Sequence, residues 1–293
     1  MELIYKVKEN DNYITINNLI TEEFKISTRL RTKLIRNNNI HLNGTNCDTR
    51  SNLKTGDIIT IDLNYEEDNS NIIPTKMDLE IIYEDEWMIV INKPAGIPIH
   101  PSLLHYNDSL SNGIKYYFDS IRLHKKIRPV NRLDLNTSGV VIFAKCEYIQ
   151  ECFSKQMAEN LFEKIYLCII ENELEQNKGT INLPISRKKG SIIEREVNPN
   201  GQNSITHYKV LEKFQDYSFV ECKLETGRTH QIRVHMSNIG HPLLGDTLYG
   251  RPSKLISRQA LHSYKIKCTH PITNKTTLFI AELPKDMKFA TRD

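Results

Sequence analysis

The sequence has no long uninterrupted run of apolar residues. No stretch approaches the ~20 apolar residues that a membrane-spanning helix requires. The N-terminus, MELIYKVKENDN, is charged from its second residue and lacks the apolar segment of a secretory signal. The composition is otherwise ordinary for a globular chain, with 39% apolar and 26% charged residues. We therefore expect a cytoplasmic protein that does not enter a membrane.

Disulfide and metal motifs are also missing. The six cysteines include no CxxC pair, and most of them lie inside apolar, strand-like stretches. This pattern predicts reduced, buried thiols and argues against both a disulfide framework and a zinc site. The ten histidines are scattered, and His230 and His235 lack the i, i+4 spacing of helical metal ligands. We expect neither a metal nor a cofactor.

What the sequence does have is strongly segregated charge behind a net charge of only +3. Residues 25–54 contain seven Lys or Arg and one acid, whereas residues 66–86 contain eight acids and one lysine. Residues 122–132 hold five cations and no acid, and a further basic run covers residues 187–189. Separate basic patches suit a polyanionic partner. The alternative for each cluster alone is a solvated surface.

The pattern of elements divides the chain into two domains. Residues 1–64 read as a small α/β module with a basic helix over residues 28–36, in which Leu30 and Leu34 point inward. An Asn43-Gly44 turn follows a strand that starts at Ile40. Residues 65–77 are acidic and polar, which is typical of a linker. Residues 78–293 form the larger domain.

The larger domain reads as α+β, with a mixed and mainly antiparallel sheet flanked by helices. Strands are predicted over residues 79–83, 87–91, 138–145, 164–170 and 217–224. The 164–170 strand is apolar on both faces, which predicts a central position. Apolar residues that recur every four positions predict an amphipathic helix. They are Ile149, Phe153, Met157 and Leu161.

A polar loop around Asp134 precedes the strong apolar strand at residue 138. Arg128 and Arg132 stand near this lone carboxylate. Loops carried on rigid strands are frequent sites of catalysis. The alternative is a turn-forming Asp, since the following Thr-Ser-Gly is also favourable turn chemistry.

The segment ETGRTHQIRVH, residues 225–235, predicts a second polar site. We expect a helix from His230 to Ile239, capped at its start by Thr229 and ended by Gly240. His230 and Arg233 would share one helix face, and Arg228 would precede it, a set suited to phosphates or a carboxylate. The alternative is an exposed helix face.

Together these motifs resemble one family across nearly the whole chain. The matching stretches of the larger domain are INKPAG at 91–96, NRLDLNTSG at 131–139, KIY at 164–166, TGRTHQIRVH at 226–235, GHPLLGD at 240–246, YG at 249–250 and QALH at 259–262. They resemble the pseudouridine synthases of the large-subunit ribosomal RNA type. Residues 1–64 are similar to a small RNA-binding fold found in a ribosomal protein.

The resemblance implies a role for each matching residue. Asp134 would be the catalytic aspartate and Arg233 the arginine that pairs with it, because an opposite charge keeps a carboxylate ionised. Tyr166 would stack on the extruded base. Arg132 would fill the gap that the uridine leaves, which offsets part of the extrusion cost of a few kcal/mol.

The remaining RNA contacts are expected from cations of both domains. Arg228 and His230 lie beside the predicted site, and the basic helix of the small module adds Arg29, Arg31, Lys33 and Arg36. Asn131 departs from the histidine that many relatives carry, which concerns local RNA contacts or loop rigidity rather than the reacting group.

The implied reaction is the isomerisation of uridine to pseudouridine in structured RNA, with large-subunit ribosomal RNA as the expected substrate and transfer RNA as a further possibility. We expect a monomer without an obligate protein partner. A catalytically silent RNA-binding or ribosome-assembly factor is the alternative. A nuclease or glycosylase fits less well, since no acid cluster or second catalytic carboxylate accompanies Asp134.

Overall fold

The computed structural model describes residues 1–290; residues 291–293, which we assigned to the larger domain, lie outside the described residues. The first part of the chain forms a four-stranded antiparallel sheet with two helices. Its elements in chain order are β1 (Glu2–Lys6), α1 (Ile16–Glu22), α2 (Thr28–Arg36), β2 (Ile40–Leu42), β3 (Thr45–Asn46) and β4 (Ile58–Asp62). The strand order is β1-β4-β2-β3.

Helix α2 has the bounds that the sequence predicted. The Ser27 hydroxyl accepts a hydrogen bond from the Leu30 N–H and so caps the helix start. Leu30 and Leu34 are fully buried, as expected. Asn43 and Gly44 have the positive φ angles, 50° and 80°, of a two-residue hairpin turn between β2 and β3. Neither β1 nor α1 was predicted from the sequence.

The larger part of the chain is α+β, which confirms the predicted fold class. Its first half contains β5 (Ile81–Glu84), β6 (Met88–Lys93), α3 (Leu110–Ser120), β7 (Arg128–Pro129), β8 (Ser138–Ala144), α4 (Glu147–Ala158) and β9 (Glu163–Glu171). Its second half contains β10 (Lys178–Asn182), β11 (Ile185–Arg187), β12 (Arg195–Val197), β13 (Ile205–Lys213), β14 (Tyr217–Leu224), α5 (Gln231–Asn238), β15 (Leu261–Thr269), β16 (Thr276–Ile280) and a 3₁₀ turn at Lys285–Ala290.

Ten of these strands form one mixed sheet with the order β10-β13-β14-β9-β15-β8-β6-β5, in which β16 also pairs with β15 and β7 with β8. Only the β8–β15 pair is parallel among the strand pairs of residues 1–290. It brings Gly139 so close to β15 that an added Cβ would lie 2.2 Å from the Ser263 carbonyl oxygen. β11 and β12 form a separate hairpin.

Helices cover both faces of the sheet. Successive side chains of β8 point to opposite faces, and all of them are buried. Val140 and Ile142 pack in the cluster that contains α4, whereas Val141 and Phe143 pack against α3. The predicted stripe of α4 is correct for Ile149 and Phe153. It is wrong for Leu161, which is exposed because the helix ends at Ala158.

The predicted linker, residues 65–77, packs against both parts of the chain. The Glu67 carboxylate bonds Lys33 of α2 and Arg128 of β7, and the Thr75 N–H donates to the Asn112 carbonyl. One hydrophobic cluster also continues from the small sheet to α4. The division at residues 64 and 77 stays a prediction.

The basic run at residues 122–132 is not one surface patch, contrary to expectation. Lys125 and Arg128 are buried, and Lys125 Nζ donates to the backbone carbonyls of Leu63 and Tyr65. Arg122, Lys126 and Arg132 remain exposed. Charge along the sequence could not separate cations that bind the adjoining segment from those that face solvent. Within residues 1–290, no helix has the length and apolar character needed to cross a membrane.

Candidate active site

The loop that carries Asp134 is tied to strand β8 by its own first residues. The Val130 N–H donates to the Ile142 carbonyl at 2.7 Å. The Asn131 side chain donates to the Val140 carbonyl at 3.0 Å and accepts from the Ile142 N–H at 2.9 Å. The amide of Asn131 is therefore occupied in holding the loop to the sheet. The Thr137 N–H donates to the Asp134 carbonyl and closes the turn.

A buried lysine fixes the other side of this loop. Lys93 lies at the end of β6 with no exposed surface, and its Nζ donates to the carbonyls of Pro94, Ile97 and Leu135 at 2.8, 2.7 and 3.0 Å. Burial, together with the charge of Arg258, lowers the pKa of Lys93 to about 7, although Asp134 opposes the shift. The three carbonyls explain how a lysine is tolerated there.

Arg233 joins two carboxylates. Its Nη1 donates to Asp134 Oδ2 at 3.1 Å, while Nε and Nη2 donate to Asp246 Oδ2 and Oδ1 at 2.7 and 2.9 Å. Burial disfavours the guanidinium charge, but the hydrogen bonds and charges of both acids outweigh it and raise the pKa of Arg233. Asp246 is fully buried, whereas the Asp134 side chain is 25% exposed. Asp134 thus keeps acceptor capacity toward solvent.

The helix that carries Arg233 begins later than predicted. Its first residue is Gln231, and the N-cap is His230 rather than Thr229. His230 has a left-handed backbone, with φ 59°. Instead of a Thr hydroxyl, the Gln231 side chain stabilises the start, since its Oε1 accepts from the Arg228 N–H and the Thr226 hydroxyl. The expected alternative of an exposed helix face is wrong, because Arg233 and His235 are buried.

The left-handed turn directs the His230 ring between Asp134 and Tyr249. His230 Nε2 lies 3.8 Å from Asp134 Oδ2, and Nδ1 lies 2.8 Å from the Tyr249 hydroxyl. That hydroxyl already accepts from the Arg195 N–H of β12 at 2.8 Å. We assign the phenol as the donor to Nδ1, which places the ring proton on Nε2, facing Asp134. Burial is the largest influence on His230 and lowers its pKa, which favours the neutral ring.

Tyr166 of β9 is nearly buried in the wall beside Asp134. Burial, followed by the negative charge of Asp134, raises the pKa of Tyr166, so the phenol keeps its proton at neutral pH. An aromatic face next to a carboxylate in the wall of a cleft is a suitable support for a flat base.

Asp134 and Tyr166 line one cleft of about 700 Å³, which lies within the range of small-molecule sites. His230 lines a smaller pocket that also includes Asp134 and Tyr166, and Arg233 joins the site through its bond to Asp134. Arg132 and Arg228 line it with exposed side chains. Lys164 and His100 add further nitrogen groups, and burial lowers the pKa of Lys164. The structure therefore brings six predicted residues together: Arg132, Asp134, Tyr166, Arg228, His230 and Arg233.

The four predicted cations of α2 lie apart from this cleft. The Arg29 guanidinium lies 3.9 Å from Glu147 at the start of α4, whereas Ala158 at the end of α4 lines the cleft. Glu147 and Ala158 are about 17 Å apart along α4, but Arg29 and Ala158 line one groove that runs between them. Arg29 and Arg36 are exposed. Lys33 is instead bound by Glu67 and Glu147, each at 3.1 Å.

Comparison with known proteins places this site in a family. The model of the RNA pseudouridylate synthase family matches residues 87–238, a segment that includes Asp134, Tyr166 and Arg233. The chain belongs to the RNA pseudouridylate synthase family. It is accordingly an RNA pseudouridine synthase, an isomerase that acts on RNA.

Similar proteins support this family membership over most of the chain. An uncharacterized RNA pseudouridine synthase of Bacillus subtilis, YhcT, is 44% identical over 80% of this chain and 78% of its own length. A ribosomal large subunit pseudouridine synthase D of Neisseria meningitidis serogroup B is 36% identical over 79% of this chain and 65% of its own. The solved structure of human RNA pseudouridylate synthase domain containing 1 superposes with a TM-score of 0.58 and 26% identity, covering 70% of this chain and 83% of that one.

Sequence reasoning assigned no role to four residues that shape this pseudouridylate synthase site. They are Lys93, Lys164, Asp246 and Tyr249. All four lie within the family-like motifs, at 91–96, 164–166, 240–246 and 249–250, and these motifs were the available signal. Their partners are distant in sequence, so only the fold reveals that Asp246 bonds Arg233 and that Tyr249 bonds His230.

Proposed function

We propose that this pseudouridine synthase modifies specific uridines of large-subunit ribosomal RNA, with Asp134 as its catalytic carboxylate. The observation that carries the proposal is the position of Asp134. Arg233 holds one of its oxygens, and the rest of the carboxylate opens to a cleft of nucleotide size. The name of the Neisseria relative supports the choice of ribosomal RNA.

The Asp134 side chain opens the glycosidic bond of the target uridine. It does so by attack on the sugar, by attack on the uracil ring, or by removal of a sugar proton. The freed base then turns in the cleft, and its carbon 5 bonds to the sugar. Arg233 holds the carboxylate ionised and oriented through these steps, because Asp246 fixes the guanidinium from behind.

Tyr166 and Arg132 act on the base and on the RNA around it. The Tyr166 ring supports the extruded base and keeps it in place while it turns. The exposed Arg132 guanidinium fills the position that the uridine leaves and contacts phosphate. Arg228 adds a second cation on the cleft rim.

A site-resolved pseudouridine map of cellular RNA tests the proposal. The expected result is the loss of pseudouridine from a few large-subunit ribosomal uridines in cells that lack this protein, and its return when the protein is supplied. Loss at transfer RNA positions alone would contradict the ribosomal assignment while leaving the reaction intact.

A further inference from the structure

The strongest feature outside the described site is an apolar loop beside the cleft. Leu103 and Leu104 are 102% and 90% exposed, which makes them the two most exposed large apolar side chains within residues 1–290. Tyr106, two residues after Leu104, is 64% exposed. Leaving two such side chains in water forgoes the free energy of burying their apolar surface. No surface formed by residues 1–290 covers them.

The turn itself does not call for leucine. The Ser102 N–H donates to the His105 carbonyl and the His105 N–H donates to the Ser102 carbonyl, so Leu103 and Leu104 are the two central residues of a tight turn. Such positions favour Gly, Asn, Asp or Pro. Neither core packing nor turn chemistry therefore accounts for the pair, which leaves contact with a partner.

The base of the loop is firmly held, so its tip is presented in one place. The Leu110 N–H donates to the Pro98 carbonyl, and both the Ser111 N–H and its hydroxyl donate to the Ile99 carbonyl. The His105 ring pairs with Asp108 at 2.9 Å. A preordered tip loses little conformational entropy when it binds.

The position of the loop indicates which partner it meets. Ile99 and His100 line the same cleft as Asp134 and Arg132. Leu103 follows His100 by three residues, so their Cα atoms lie within roughly 11 Å. Arg132 has no carboxylate within ion-pair distance among residues 1–290, which leaves its charge available for phosphate. A molecule bound in the cleft would therefore lie next to the Leu103–Leu104 tip.

We propose that the Leu103–Leu104 tip contacts unpaired nucleobases of the substrate RNA next to the extruded uridine. This inference rests on the proposed function, since it takes the RNA in the cleft as the partner. Apolar side chains inserted at base steps unstack them, and bases present apolar faces of matching size. The tip would thereby keep the flanking bases apart while Arg132 occupies the vacated position.

The test compares full-length wild type with Leu103→Ser/Leu104→Ser, using large-subunit ribosomal RNA transcribed in vitro. The matched control is Leu278→Ser/Ile280→Ser, which removes two exposed apolar side chains from β16. Leu103→Met/Leu104→Met keeps the apolar surface. Three quantities are measured: RNA affinity over a range of salt, the single-turnover rate of pseudouridine formation, and the dimethyl sulfate reactivity of bases flanking the modified uridine in the complex.

The expected result is an about tenfold loss of rate or affinity in the Ser/Ser variant. Its salt dependence should be unchanged, because no cation is removed. In the wild-type complex the bases flanking the modified uridine should react more strongly with dimethyl sulfate than in free RNA, and the Ser/Ser variant should lack this increase. The control and the Met/Met variant should match the wild type.

Equal rates, affinities and base reactivities in the Ser/Ser variant and the control would overturn the proposal. So would a Ser/Ser variant that changes only self-association in sedimentation, since the tip would then bind a second copy. If the wild type forms no pseudouridine in this RNA, the assigned substrate fails. The loop proposal is then judged on total transfer RNA by the same affinity and reactivity measurements.

Discussion

Two acid–arginine sites in this molecule use similar groups for opposite purposes. At the junction between the small sheet and α4, Arg128 donates to both oxygens of Glu67 at 2.6 and 2.7 Å, and Lys33 adds a third bond at 3.1 Å. In the cleft, Asp134 receives one bond from Arg233 at 3.1 Å. The Glu67 side chain is 3% exposed and that of Asp134 is 25% exposed.

The two sites differ in how the arginine distributes its hydrogen-bond donors. Arg128 gives two of them to Glu67, so that carboxylate is saturated and serves stability. Arg233 gives two of its three bonds to the buried Asp246 and only one to Asp134. Asp134 is therefore oriented and paired with a cation while part of its hydrogen-bond acceptor capacity stays open. A carboxylate that reacts requires this combination.

Replacing Arg233 should produce the largest combined effect. Arg233→Gln leaves the fully buried Asp246 without its cation, so we expect a loss of about 3–5 kcal/mol in the free energy of unfolding. Pseudouridine formation should fall roughly 100- to 1,000-fold as Asp134 loses its orienting donor. Chemical denaturation and single-turnover kinetics measure the two. Arg50→Gln, which breaks an exposed pair with Asp48, is the control and should change neither by much.

Glu67→Gln should affect stability and spare chemistry. We expect a loss of about 3 kcal/mol because Arg128 would stay buried without its acid. Glu66→Gln, one residue away and exposed, should be close to neutral. A Glu67→Gln protein that is folded yet catalytically dead would contradict the division between the two sites.

The pH dependence of this junction follows from the pKa of Glu67. Burial is the largest influence and opposes ionisation, but Arg128 and Lys33 outweigh it and lower the pKa from 4.5 to about 2. A depressed folded-state pKa stabilises the fold above the unfolded value and loses that contribution as pH falls. Wild-type stability should therefore decrease from about pH 4.5 to 2. Glu67→Gln should lack this part of the decrease.

Neutralising three cations of α2 should weaken RNA binding without altering chemistry. In the triple variant Arg29→Gln/Arg31→Gln/Arg36→Gln, the slope of log affinity against log salt should fall by about two. Lys33 is left in place, since Glu67 and Glu147 hold it. A variant with Lys209, Lys275 and Lys285 changed to Gln serves as the control. Equal salt slopes for both variants would remove α2 from the RNA-binding surface.

Tyr249→Phe should have the smallest effect, a rate lowered about three- to tenfold. Without the phenol donor at Nδ1, the neutral form of His230 loses support and its pKa rises. A protonated ring would compete for Asp134, so the acid limb of the pH–rate profile should move to higher pH. Tyr116→Phe, at an exposed position of α3, is the control. An unchanged profile would refute the assigned proton position.

Helices and strands were predicted correctly where the sequence signal lay within the element itself. Strand β14 and helix α2 have the predicted bounds because alternation, periodicity and a Ser cap all lie within the element. Strand β13, ITHYKVLEK, was missed since it is only partly buried and carries charge on both faces. The start of α5 was misplaced by one residue because the left-handed His230 is not a usual cap.

The same limit applies to the site. Asp134, Tyr166 and Arg233 were identifiable from their motifs, but their partners come from elsewhere in the chain. Arg233 and Asp134 are 99 residues apart, and no periodicity connects them. Glu67 looked like part of an acidic linker, and only the fold reveals its buried pairing with Arg128.

The most direct test of the account is to supply Asp134→Asn to cells that lack the protein and to map their ribosomal pseudouridines beside cells supplied with the wild type. The amide keeps the shape of the side chain and removes its charge, so thermal unfolding and RNA affinity should stay close to wild type. The account predicts that the wild type restores the missing pseudouridines and that Asp134→Asn restores none. Restoration by Asp134→Asn at the wild-type level would contradict the central role of this carboxylate.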